Sequence, residues 1–467
     1  MTTLHLSWPR ERIFALTAAI ILSISFAAVV AISGGDSRII AVLLLVSASA
    51  LAISNFGIAL SIVIIALFVD YYVTGLSSAV WCTVVLAASF LFRYTDLRKA
   101  DFANPLSKPI LIYGLCILPS FLFNIHPFIS LLKLLNVGAF LIVMYSFVAG
   151  IRSRRMLMFV LGVYLIMVLL NSIHVIAQFF GGVDRPFGFA GIMFVDYSAL
   201  AVCVTAALSF TSRGTQRLLF TGLATVYAIA LIMTGTRNTW VSSAITLALL
   251  AGYVTMRPEA AGLTRKSALS LILAGLILVG GSATYIVLNT QRIEKRALQV
   301  SGEKDISIDQ RGKAENSLVS RILIWDTAWN AFLAHPLVGI GVYSFPYSSD
   351  QYYHMPKILY ILYVEGVSPH QTQLAVLAET GVIGAIGYMI FMFALLKTGY
   401  EVLGKSSDPQ QMRLALVAFT AIVYSTISMI FTDAWLWGQG IVLFGLVVGG
   451  MLAIRNLERQ ELAPGAV

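Results

Sequence analysis

The stretch "VEGVSPHQTQLAVLAETGVIGAIGYMIF", residues 364–391, decides how the chain is to be read. A polar entry through Ser368, Pro369 and His370 gives way to an apolar run broken only by Glu379 and by glycines at 381, 384 and 387. Runs of ~20 apolar residues are what a helix needs to cross a bilayer, and the rest of the chain repeats the pattern. Of its 467 residues 58% are hydrophobic and 11% charged, where soluble domains carry about 25% charged residues. The fold class is therefore an all-α polytopic integral membrane protein. The net charge of +9 fits basic cytoplasmic loops, and no nucleic-acid partner is expected. Cys82, Cys116 and Cys203 all fall inside apolar runs, so neither a disulfide nor a thiolate metal site is implied.

Working outward, apolar runs lie near 13–32, 38–54, 56–75, 77–92, 109–124, 127–149, 157–180, 190–210, 217–234, 239–255, 267–289, 372–396, 414–432 and 435–454. Several early ones are short, so about 12–14 transmembrane helices are expected, the first a retained span rather than a cleaved signal. With both termini cytoplasmic, the inward segments and tails hold 19 Lys and Arg, while the short outward loops hold only Arg38, Arg185 and Arg237. The positive-inside rule thus sets the orientation. The organisation is a transmembrane bundle at 1–289 (about 11 spans), a large periplasmic loop domain at 290–371, C-terminal transmembrane helices at 372–455 and a cytoplasmic tail at 456–467. Long loops of this kind are usually functional or disordered. Within it Leu318, Ile322, Trp325, Trp329, Phe332 and Leu333 follow helical spacing, predicting an amphipathic helix along the outer membrane boundary.

Ionisable residues inside spans are costly and default to functional candidates. Lys133, His174, Asp196 and Glu379 all map to the outer half of the membrane. Arg185, Arg237 and Arg321 are outward guanidiniums whose forked donors suit a phosphate, although headgroup anchoring is the plainer alternative. Ser368 and Pro369 read as N-cap and first helical residue, which puts His370 in the first turn of its span. The positive end of the helix dipole disfavours an imidazolium there, so a ring able to accept a proton from a hydroxyl is expected, with a histidine that only caps or packs at the interface as the plainer alternative. Gly381, Gly384 and Gly387 suit close helix packing. No DxD pair, HExxH or cysteine cluster supports a metal, and no cofactor is expected.

At these residues the chain resembles the O-antigen ligase and polymerase family of bacterial envelope glycosyltransferases. His370-Gln371, nine residues, Gly381, two residues and Gly384 match that family's H-[N/S/Q]-x9-G-x-x-[G/T/Y] signature. "SRILIWDTAWNAFLAHPLVGIGVYSF" looks like its R-x3-W…HP-x-x-G-x-G run, and "TGTRNTWV" is similar to its TG-S/T-R motif. The resemblance covers about 200 residues. It implies a GT-C-like, inverting and metal-independent glycosyltransferase of the bacterial inner membrane, with its active site facing the periplasm. The donor would be a glycan on undecaprenyl diphosphate and the acceptor lipid A–core (a ligase) or a second lipid-linked glycan (a polymerase). It also implies that Arg237 and Arg321, with Arg185 less closely matched, hold the diphosphate and that His370 is the base. Glu379, Asp196, His174 and Lys133 are supporting candidates from depth alone.

The motifs do not separate ligase from polymerase. Residues 290–369 hold 8 Lys and Arg against 8 Asp and Glu, which offers no basic cradle for a phosphorylated core and leans toward a polymerase. A flippase or transporter of lipid-linked oligosaccharides is a third reading, but such carriers usually show repeats and midplane polar sites, and neither is evident. The topology predicts that a cysteine introduced within 300–315 labels with a membrane-impermeant reagent from the periplasmic side of intact cells; protection there would overturn the sidedness.

Overall fold

The computed structural model describes residues 56–68, short stretches between 72 and 87, 104–122, 124, 126–183, 185–257, 317–405, 408–433 and 438–462. The expected spans at 13–32, 38–54 and 267–289, most of 77–92, and the polar part of the loop lie outside the described residues. In chain order the described helices are α1 Phe56–Leu67, α2 Ser107–Leu122, α3 Pro127–Gly150, α4 Arg154–Phe180, α5 Phe194–Thr211, α6 Gly214–Met233 and α7 Arg237–Met256. There follow α8 Ser317–Ala334, α9 Phe345–Ser348, α10 Lys357–Tyr363, α11 Thr372–Lys405, α12 Pro409–Phe431 and α13 Gly438–Leu462. Among the described residues eight helices are long and apolar enough to cross a membrane. The run expected as a span at 56–75 is shorter: α1 ends at Leu67, and Tyr72–Val73 pair antiparallel with Leu76–Ser77. Aromatic and β-branched side chains there favour the strand.

Local chemistry sets the helix ends. Ser153 caps α4 by accepting from the Met156 N–H at 3.2 Å, and Asp408 caps α12 by accepting from Gln411 N–H at 3.1 Å, just ahead of Pro409. Arg154 and Asp408 pair at 2.9 Å, which ties the starts of α4 and α12 together. The outer surfaces are apolar: Phe159, Ile166, Leu170 and Ile173 on α4, and Ile386, Met389 and Phe393 on α11, stand exposed at helical spacing. In water such stripes would be a liability; against lipid they need no partner. α5, by contrast, is buried on nearly every side.

α11 breaks in its third turn. Gly381 has φ 62° and ψ −166°, which interrupts the helical ladder. Residues 336–341, from the loop after α8, take up the freed groups. Val382 N–H donates to the Pro336 carbonyl at 2.8 Å, Ile383 N–H to Leu337 at 3.3 Å, Ile340 N–H to Ala378 at 3.1 Å and Gly341 N–H to Glu379 at 3.0 Å. Ser120 of α2 adds its hydroxyl to the Glu379 carbonyl at 2.6 Å. The approach is backbone to backbone. A Cβ at Gly339 would overlap Glu379 and Thr380, and one at Gly381 would overlap Leu337 and Val338.

This corrects two expectations. Gly381 does not serve helix packing, because what approaches it is a loop backbone. The Gly384 position is crowded by Thr380 of its own helix, and it is Gly387 that lets Cys116 and Tyr113 of α2 come close. The loop also does not stay at the surface. Gly381 is nine residues past the start of α11, or about 14 Å along a helix axis, so residues 336–341 run beside the third turn of a helix long and apolar enough to cross a membrane. Irregular backbone is tolerated there only where protein groups satisfy it.

α8 has two distinct faces. Ile324, Ala328 and Ala331 form its buried face, whereas Ile322, Trp329 and Leu333 are exposed. Trp325 and Phe332 of the same stripe are half-buried. Gly339→Ala and Gly381→Ala should each destabilise the protein by more than about 1 kcal/mol, since alanine fits poorly at positive φ. Gly114→Ala, where a Cβ meets open space, should not. Thermal melting in detergent checks this, and an unshifted Gly339→Ala would show that the close approach is dispensable.

Candidate active site

His370 does not sit in the first turn of α11. The helix begins at Thr372, with the Gln371 carbonyl accepting from Ala375 N–H at 2.9 Å. Ser368 and Pro369 precede the helix rather than start it, and His370 takes a left-handed conformation with φ 54°. The residue therefore stands two positions before the helix, outside its ladder. A non-glycine residue holds that conformation only where its surroundings impose it, and here Asp433 does. Its Oδ2 accepts the His370 N–H at 3.2 Å, and its Oδ1 lies 3.7 Å from His370 Nδ1. The second distance is an ion-pair separation, too long for a hydrogen bond.

Asp433 follows the C-terminal end of α12, and other parts of the chain converge on that end. Arg321 of α8 donates through Nη1 to the Phe431 carbonyl at 3.2 Å, and Thr372 gives its hydroxyl to the Thr432 carbonyl at 2.8 Å. Trp325 donates its indole N–H to the Pro369 carbonyl at 3.1 Å, which fixes the segment leading into His370. The histidine side chain is 46% exposed while that of Asp433 is 5% exposed, so the ring faces outward from a buried carboxylate. Burial alone would raise the Asp433 carboxyl. Its bonds and charge interaction with His370, with the Ser368 hydroxyl, outweigh burial and hold it below the usual carboxylate range. Burial lowers the Arg321 guanidinium, against the pull of the Asp433 charge.

Other candidates are placed differently. Arg237 opens α7 and is exposed. The Trp240 indole bonds the Leu231 carbonyl at 3.1 Å and so binds the start of α7 to the end of α6, while α7 packs along α12 and α5. Arg185 lies in the loop between α4 and α5. Asp196, 4% exposed, accepts hydroxyl bonds from Ser428 at 3.2 Å and Tyr424 at 3.3 Å. It cross-links α5 to α12 one turn below Thr432. His174 is exposed on α4 with its ring 5.8 Å from that of Phe189, and Lys133 is partly buried in the second turn of α3.

Glu379 is 5% exposed and binds the loop: Oε2 accepts Tyr343 N–H at 2.9 Å and Oε1 accepts Phe345 N–H at 3.3 Å. Its partners are backbone groups of that loop, where Tyr343 has φ 59°. Among the described residues no three His, Cys, Asp or Glu side chains converge as a metal would need. The sequence reading missed Asp433. Its one sequence signal is a carboxylate in the short "TDAWLWG" turn between the last two spans.

Residues 222–389 match the family model described as O-antigen ligase. The matched stretch runs from α6 into α11 and contains Arg237, Arg321, His370 and Glu379. Arg185, Asp196 and Asp433 lie outside it. Comparison with curated proteins finds no match.

Glu379→Gln keeps the shape of the side chain but presents an NH2 to one of the two backbone donors. A buried donor left unpaired costs about 1–3 kcal/mol, so the melting temperature in detergent should fall correspondingly. Unaltered melting would mean that Glu379 does not hold the loop.

Proposed function

We propose that this chain, with its match to the O-antigen ligase family model, is a membrane glycosyltransferase that moves a glycan from undecaprenyl diphosphate to an acceptor hydroxyl. The reaction takes place at the periplasmic face of the bacterial inner membrane, and lipid A–core is the acceptor. The observation that carries the reading is the meeting of His370, Asp433 and Arg321 at one end of α12. With Nδ1 turned toward Asp433, Nε2 is the nitrogen left for the acceptor. It takes the hydroxyl proton as the acceptor oxygen bonds to the anomeric carbon. The bond from that carbon to the diphosphate oxygen breaks on the opposite side, with inversion.

Asp433 sets the ring's orientation and offsets the imidazolium charge that forms. Arg321, with Arg237 and Arg185, would meet the negative charge growing on the leaving diphosphate, the kind of stabilisation that needs no reorganisation during reaction. Arg321 uses Nη1 on Phe431, which keeps its remaining fork on one bearing. A second reading, a polymerase that joins two lipid-linked glycans by the same chemistry, is favoured by the even charge of residues 290–369.

The test uses purified protein with an undecaprenyl-diphosphate-linked glycan, with and without lipid A–core, reading products by size. A shift of lipid A–core is expected. Ladders from the donor alone would establish the polymerase, and no product in either tube would overturn both. In the active assay His370→Ala should lower turnover by about 100- to 10,000-fold, and Arg321→Lys should be impaired despite its charge because the fork is lost. Wild-type turnover in His370→Ala would remove the base assignment.

A further inference from the structure

A polar stripe on α4 accounts for the shape of the Arg185 loop. Asn171, His174 and Gln178 stand at i, i+3 and i+7 and so share one helix face, within an otherwise apolar span. Polar side chains on such a helix are costly unless paired, and these are paired with the loop. Asn171 is fully buried. Its Oδ1 accepts Phe189 N–H at 2.8 Å and Ala190 N–H at 3.2 Å, and its Nδ2 donates to the Phe187 carbonyl at 3.2 Å. Gln178 Oε1 accepts Gly188 N–H at 2.8 Å. The His174 ring lies beside Phe189. Gly188 has φ 68°, and a Cβ there would overlap the Asn171 side chain.

We propose that Asn171 and Gln178 are positioning residues that present Arg185 to the diphosphate of the lipid-linked donor. Every residue from 187 to 190 is bonded to one of the two amides, and Pro186, whose ring fixes φ, is buried between them and Arg185. The arginine therefore leaves the loop from a fixed point of the backbone, not from a mobile tip. Such an arrangement is what an anion site needs, because placing the charge in advance avoids the cost of ordering it during binding. The stripe precedes residues 222–389, the stretch that matches the family model. The inference rests on the proposed donor and on Arg185 as one of its ligands.

The experiment is a double-mutant cycle in the transfer assay, reading KM for the lipid-linked donor and inhibition by inorganic pyrophosphate. Asn171→Leu and Gln178→Leu are each expected to raise the donor KM and to weaken pyrophosphate inhibition about tenfold, as displaced binding groups do. Both effects should vanish in an Arg185→Gln background. Gln178→Leu, which removes only the bond to Gly188, carries the test if Asn171→Leu does not fold. Increments that persist in the Arg185→Gln background would overturn the proposal, as would changes confined to melting temperature. An Arg185→Gln protein with normal donor KM would overturn it too and remove Arg185 from the donor site. Activity itself would remain in that case, which separates this failure from failure of the transferase reading.

Discussion

The break in α11 at Gly381, and the loop backbone bonded into it, is the constraint on which the rest of the arrangement depends. An unpaired backbone group at membrane depth costs several kcal/mol, whereas glycine's extra backbone freedom costs about 0.5–1 kcal/mol. The break is therefore tolerable only because residues 336–341 supply donors and acceptors in the right register. The dependence runs both ways, since the loop could not descend without the groups that the break exposes. Glu379 extends the same accounting to the next turn of loop by accepting the Tyr343 and Phe345 N–H groups. With the loop anchored to α11, α8 is held against it and Arg321 is carried to the end of α12.

That helix end shows how capping and site assembly coincide. The last carbonyls of any helix lack partners within it. Those of α12 are met by a guanidinium from α8 at Phe431 and by the Thr372 hydroxyl of α11 at Thr432. Asp433, one residue on, then bonds the chain at His370 and imposes its left-handed backbone. Segments remote in sequence meet at one point because each satisfies a group there that would otherwise be buried without a partner. The buried carboxylate, the exposed imidazole and the half-buried arginine are a by-product of that satisfaction, and they form the candidate site.

The two intramembrane carboxyl groups illustrate why depth alone is an ambiguous signal. Asp196 and Glu379 lie in the same half of the bundle, and an ionisable residue at such depth invites a functional reading. Their partners, however, are hydroxyls from α12 in one case and loop N–H groups in the other. Both tie elements together. Asp433, which spacing did not single out, is the carboxylate placed beside the histidine.

What the sequence by itself determined is what local composition controls. The apolarity of the eight described spans and the order of the arginine, histidine and glycine motifs follow from lipid exposure and backbone sterics acting over a few neighbouring residues. What only the tertiary structure decided is what those motifs touch. The glycines after His370 looked like helix-packing residues because glycine signals close approach without naming the partner, and at Gly381 the partner is a loop some forty residues upstream. Ser368 and Pro369 read as a helix start, but the helix begins three residues later at Thr372, after a segment bonded to a carboxylate 63 positions beyond His370. Periodicity and capping preferences act within a turn or two, whereas these contacts join segments that only the folded chain brings together.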